Sequence, residues 1–146
     1  MPVLCMLAVI LPLLIPARSS SIEERREVRC DIHLVSTALK PGAVGEIVLM
    51  FSPDEGIHIN TDPAMQIEFE KSSPAHFTGI KALPKSPKTG YLDTSKPVRC
   101  TFTLDKKIRK GKHTLKGTVQ YYFCSDTEGW CNRFSQPIEL TFTVTQ

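Results

Sequence analysis

From Val28 onward, apolar side chains recur at every second position, in short runs broken by proline and glycine. A period of two marks strands with one buried face, because successive strand residues point to opposite sides of a sheet. Val28, Cys30, Ile32 and Leu34 alternate with Arg29, Asp31 and His33. Ile47, Leu49 and Phe51 follow a Lys40-Pro41-Gly42 turn, and Ile57 and Ile59 follow Ser52-Pro53-Asp54-Glu55-Gly56. Met65, Ile67 and Phe69 alternate with Gln66, Glu68 and Glu70, and a weaker segment at 77–83 leads into a loop at 84–90. Val98, Cys100, Phe102 and Leu104 alternate with Arg99, Thr101, Thr103 and Asp105, and the two longest strands are expected over 112–124 and 131–144. No window carries a helical period, and no internal repeat is visible. Seven or eight short strands separated by such turns predict an all-β chain, an immunoglobulin-like antiparallel β-sandwich.

The first nineteen residues read differently. Residues 3–15 are almost wholly apolar and are followed by Pro16, Ala17, Arg18 and three serines. That stretch is short for a bilayer span, which needs about 20 residues, and fits the apolar region of a signal peptide. Ala17 and Ser19 stand in the small-residue relation that signal peptidase reads, so residues 1–19 are expected to leave and 20–146 to form the domain. The competing reading, an uncleaved membrane anchor, draws on an amino-terminal region without Lys or Arg. Export predicts a periplasmic or secreted protein. Cys5 would leave with the peptide, so the mature chain keeps Cys30, Cys100, Cys124 and Cys131. An even number of cysteines in an exported domain points to disulfide chemistry.

A net charge of +3, from 18 basic and 15 acidic residues, is too small and dispersed for a nucleic-acid surface. The densest basic run, at 106–112, contains Gly111 and reads as a solvated hairpin turn. No phosphate loop, nucleophile elbow or pair of catalytic carboxylates is present, so neither a cofactor nor a small-molecule substrate is expected. His33, His58, His76 and His113, with Met50 and Met65, fall on separate strands without a converging ligand spacing, so no metal is expected.

Strand parity sorts the four cysteines into two pairs. Cys30 shares the face of Val28, Ile32 and Leu34, and Cys100 that of Val98, Phe102 and Leu104, so both belong to the core. They form either a buried disulfide between sheets or two core thiols. In the strand ending at Cys124 the inward set is Leu115, Val119, Tyr121 and Phe123, which leaves Cys124 outward with Gln120 and Tyr122. Parity from Ile138, Leu140, Phe142 and Val144 puts Phe134 and Trp130 inward and Cys131 outward with Arg133, unless Pro137 introduces a bulge. An even hairpin loop, either Thr127-Glu128 or 126–129, sets Cys124 opposite Cys131. Directly opposed residues have Cα atoms about 4.5–5.5 Å apart, which a disulfide spans.

The run Tyr121-Tyr122-Phe123-Cys124-Ser125-Asp126, followed by Trp130-Cys131, resembles the signature of the N-terminal periplasmic domain of the thiol:disulfide interchange protein DsbD. The resemblance extends weakly through Gly56-Ile57-His58-Ile59-Asn60 and Ala82-Leu83-Pro84. It implies an immunoglobulin-like fold whose redox-active disulfide, Cys124 with Cys131, relays electrons between a membrane partner and thioredoxin-like periplasmic proteins. It also implies a cap loop, with Tyr91 of Lys88-Thr89-Gly90-Tyr91 as the shielding residue. The chain departs from that family in a cysteine loop one residue longer, in Asn132 where an aromatic often follows the second cysteine, and in a cap segment without acidic residues. Any membrane electron donor is expected on a separate chain.

Thiol–disulfide exchange needs a thiolate attacking an accessible sulfur, and the couple's potential follows how well the thiolates are stabilised. Asp126 and Glu128 stabilise no thiolate at Cys124, which predicts a reducing couple. Tyr122 and Trp130 are expected to limit access and supply a docking surface. The alternative is a non-catalytic immunoglobulin-like binding or assembly module in which every disulfide is structural.

Overall fold

The computed structural model describes residues 26–146. The leader read at residues 1–19, Cys5 within it, lies outside the described residues.

The alternating segments pair into two sheets. The first has the order β1 (Val28–Leu34), β3 (Val44–Pro53), β7 (Val98–Leu104), β6 (Ala75–Ala82). The second has the order β2 (Ala38–Leu39), β9 (Trp130–Val144), β8 (Gly111–Ser125), β4 (Ile57–Ile59), and β5 (Gln66–Phe69) also lies along β8. Among the described residues the strand count is nine, not seven or eight. The extra strand, β2, has two residues that pair in parallel with Thr143 and Val144 of β9, so the sandwich is not wholly antiparallel. Two residues are too few to display a period.

The inward residues of both sheets meet in one core. Phe102, Tyr121, Phe142, Leu49, Val98, Leu115 and Val119 are all buried there. Phe51 of the first sheet sets its edge against Tyr121 of the second, 5.1 Å between ring centroids. Burial pushes the Tyr121 phenol pKa up, and its hydroxyl has no hydrogen-bond partner among the described residues.

Cys30 and Cys100 are core residues, as parity requires, and both are free thiols. They lie in the same sheet on either side of β3, Cys30 opposite Phe51 and Cys100 opposite Ile47. That arrangement removes the disulfide between sheets and leaves two core thiols. Burial pushes each from 9.0 up to about 12, with the neighbouring Asp31 carboxylate adding to the effect at Cys30 and Glu46 at Cys100.

The β8–β9 hairpin positions the remaining two cysteines. Its register runs unbroken from Gly111 opposite Val144 to Ser125 opposite Trp130, with Pro137 opposite Thr118 and no bulge. The other edge of β8 is shared: β4 covers Phe123 to Ser125 and β5 covers Gly117 to Gln120. Residues 60–65 bridge the gap between them.

Candidate redox site at the hairpin tip

The hairpin loop is 126–129, the longer of the two even lengths. Gly129, at φ 74°, takes the left-handed conformation that lets its N–H reach the Ser125 carbonyl at 2.9 Å. The Glu128 N–H donates to Ser125 Oγ at 3.2 Å, and the Trp130 indole N–H donates to the Glu128 carboxylate. With the turn fixed, Cys124 lies opposite Cys131 and the two are bonded, their Cα atoms 4.0 Å apart. This is the closely spaced kind of antiparallel pair.

The two sulfurs have unequal surroundings. Cys131 is exposed, whereas Cys124 keeps only 6% of its surface. Parity puts both on the outer face of the sheet, so the burial of Cys124 comes from what lies over it. His58 of β4 is its cross-strand neighbour. Asn60, just past β4, donates its backbone N–H to the Tyr122 carbonyl at 2.8 Å and its side-chain Nδ2–H to Cys124 Sγ at 3.3 Å.

A second layer rests on His58. Its ring stacks on Tyr91, centroids 3.6 Å apart, and its Nε2 lies 3.5 Å from Asp126 Oδ1. The loop carrying Tyr91 is closed at its base by the Lys85–Leu92 bridge and by the Gly90 N–H on the Ser86 carbonyl. Gly90, at φ 78°, makes the reversal possible. Two bonds fasten the loop to the β4 side: Leu92 N–H to the Ile59 carbonyl at 2.9 Å and Thr61 Oγ1–H to the Gly90 carbonyl at 2.6 Å.

The structure therefore brings Cys124, Cys131, Asp126 and Tyr91 into one cluster, with Tyr122 adjacent on the same face. Tyr122 Oη accepts from Gln120 Nε2 at 3.3 Å. Trp130 lies on the opposite face, where its ring packs edge-on against Phe123 at 6.0 Å. It borders a groove of about 710 Å³ at the end of the sandwich, which Glu27, Asp54, Glu55, Glu128 and Ile57 also line. His58 and Asn60 are the site residues that periodicity and spacing did not single out. Their shared parity with one residue between them was the available signal, and it gained meaning only once β4 was placed beside Cys124. Among the described residues no three His, Cys, Asp or Glu side chains cluster as metal ligands.

The chain matches no protein-family model and no curated protein sequence. What the site can do follows from its own residues. A disulfide between an exposed and a buried cysteine offers a nucleophile its attack at the exposed one, with the buried sulfur as leaving group.

Proposed function

We propose that this protein is a thiol:disulfide interchange module that relays electrons through Cys124–Cys131 to or from thioredoxin-like partner proteins. The observation that carries the proposal is the unequal exposure of the two bonded cysteines, Cys131 exposed and Cys124 covered beside Asn60 and His58. A permanent clip has no need of that asymmetry, and a relay does. A partner thiolate attacks Cys131 Sγ, forming a mixed disulfide, and the electron pair of the broken S–S bond leaves on Cys124. The partner's second thiolate then attacks its own sulfur in the mixed disulfide and releases Cys131. The partner dithiol is oxidised and this pair reduced, and the reverse sequence runs through the same intermediate.

The proposal places the protein in the periplasm or outside the cell, where disulfides persist. Asp126, near His58 over the pair, disfavours thiolates and favours a reducing couple, while the Glu128 carboxylate is turned to the Trp130 indole on the opposite face. A midpoint close to that of a strong oxidase, about −120 mV, overturns that part of the reading.

The deciding experiment equilibrates the domain in graded thiol/disulfide buffers, traps free thiols by alkylation and reads them by peptide mass spectrometry. Circular dichroism follows the fold in parallel. Joint reduction of Cys124 and Cys131 with the fold retained supports the relay. A pair that stays oxidised until the domain unfolds makes the disulfide a clip and the protein a binding or assembly module.

A further inference from the structure

Cys124 Sγ has one hydrogen-bond partner among the described residues, the carboxamide of Asn60, whose Nδ2 lies 3.3 Å away. The other half of that carboxamide, Oδ1, is buried and has no partner. A buried amide oxygen without a donor is costly, so its retention calls for a state in which it is used. The oxidised sulfur can supply no hydrogen, because a disulfide is an acceptor only. The reduced sulfur can, because a thiol is a weak donor.

From this juxtaposition we propose that Asn60 is a positioning residue for the exchange reaction, holding Cys124 as the leaving sulfur and thereby directing attack to Cys131. The inference rests on the relay reading above. As the S–S bond breaks, negative charge develops on Cys124 Sγ, and the Asn60 N–H already aimed at that atom strengthens into a charge-assisted hydrogen bond. When the thiolate takes up a proton, rotation of the carboxamide presents Oδ1 to the new S–H. One side chain thus serves disulfide, thiolate and thiol in turn. The Asn60 backbone N–H on the Tyr122 carbonyl, at 2.8 Å, anchors the side chain beside Cys124. His58, the other neighbour of Cys124, is turned to different partners, its ring on Tyr91 and its Nε2 toward Asp126.

The test reads the Cys124 thiolate directly. In a Cys131→Ser chain, Cys124 is a lone thiol at the site, and its ionisation is followed by thiolate absorbance and by the pH dependence of its alkylation rate. The ionisable groups around it are His58 across the ladder, Tyr122 and Asp126 on either side, Tyr91 over His58, and Arg133 opposite Tyr122; all are unchanged when Asn60 is replaced. Asn60→Ala is expected to raise the thiol pKa by about one unit, the loss of one hydrogen bond to a charged group. Asn60→Asp, which keeps the size and replaces the donor by a carboxylate, is expected to raise it further, so a folding defect in the alanine variant does not end the test. With both cysteines present, attack by a small thiolate on the disulfide is expected to slow about tenfold in Asn60→Ala.

Folded Asn60 variants whose Cys124 pKa and exchange rate match the parent overturn the proposal and reduce Asn60 to packing. If the parent pair cannot be reduced while folded, the relay reading fails and the positioning role falls with it. The first failure leaves the parent exchanging normally and the second does not, so the two are told apart.

Discussion

The His58 ring lies flat on Tyr91, with 3.6 Å between centroids and 23° between planes, and the same His58 stands directly across the β4–β8 ladder from Cys124. A loop distant in sequence is thereby coupled to the covered side of the disulfide through the imidazole, beside the Leu92–Ile59 and Thr61–Gly90 bonds. Removing the stack loosens both the loop and the cover. Tyr91→Ala is expected to raise the rate at which small thiols reduce Cys124–Cys131 by roughly threefold to tenfold, the range an aromatic contact of about 0.5–1.5 kcal/mol allows. Stopped-flow reduction of the purified domain measures it, and an unchanged rate would show that Tyr91 does not shield the site.

The disulfide closes a short loop within a hairpin already held by its ladder. Chain-entropy reasoning for a loop of about eight residues gives a stabilisation of about 2.5 kcal/mol. Urea unfolding of the chain carrying both Cys124→Ser and Cys131→Ser should show a loss of about that size with the fold intact. Complete unfolding of that variant would assign the bond a structural role.

Cys30 and Cys100 are protected by burial, not by bonding. In the native protein neither is expected to react with iodoacetamide at pH 8, and both are expected to react at once in denaturant. Their pKa values, pushed from 9.0 to about 12, also fix the sign of a pH effect. Between those values the unfolded chain releases protons that the folded chain retains, so stability is full below pH 9 and falls as pH rises toward 12. The slope reaches at most about 1.4 kcal/mol per pH unit for each thiol. Cys100→Ala should flatten that decline, and an unchanged alkaline profile would contradict the assignment.

Tyr121 carries a hydroxyl into the core without a partner among the described residues. Tyr121→Phe removes the unpaired group and keeps the ring against Phe51. The variant is expected to be more stable by roughly 1 kcal/mol, read as a higher urea midpoint at constant slope. A loss of stability would reveal a partner for the hydroxyl.

Alternation alone makes every strand but β2 legible, because each of the others places at least two apolar residues two apart against a polar neighbour. The hairpin register was legible for a stricter reason. Parity put Cys124 and Cys131 on one face, and an even loop then left a single pairing. The burial of Cys124 was not legible, since parity assigned it to an outer face and gave no sign that anything would lie over it. That cover depends on β4, three residues long, meeting the far end of β8, and on Leu92 and Gly90 fastening a loop beside it. Such contacts join segments far apart in the chain, where periodicity has no reach. The core thiols were left open in the sequence for a related reason. Parity can put two cysteines inside a sandwich, but only strand order shows that β3 stands between them.

β4 contributes three residues to the edge of β8, while β8 and β9 remain zipped along their whole length. Short as it is, β4 is anchored on both sides, because Ile59 is wholly buried in the core and its carbonyl accepts the Leu92 N–H at 2.9 Å. It lies beside the buried sulfur as a cover, and the Asn60 N–H just past it holds the Tyr122 carbonyl. The cover of Cys124 is therefore tied into the core of the sandwich, whereas the alignment of the two cysteines is set by the hairpin.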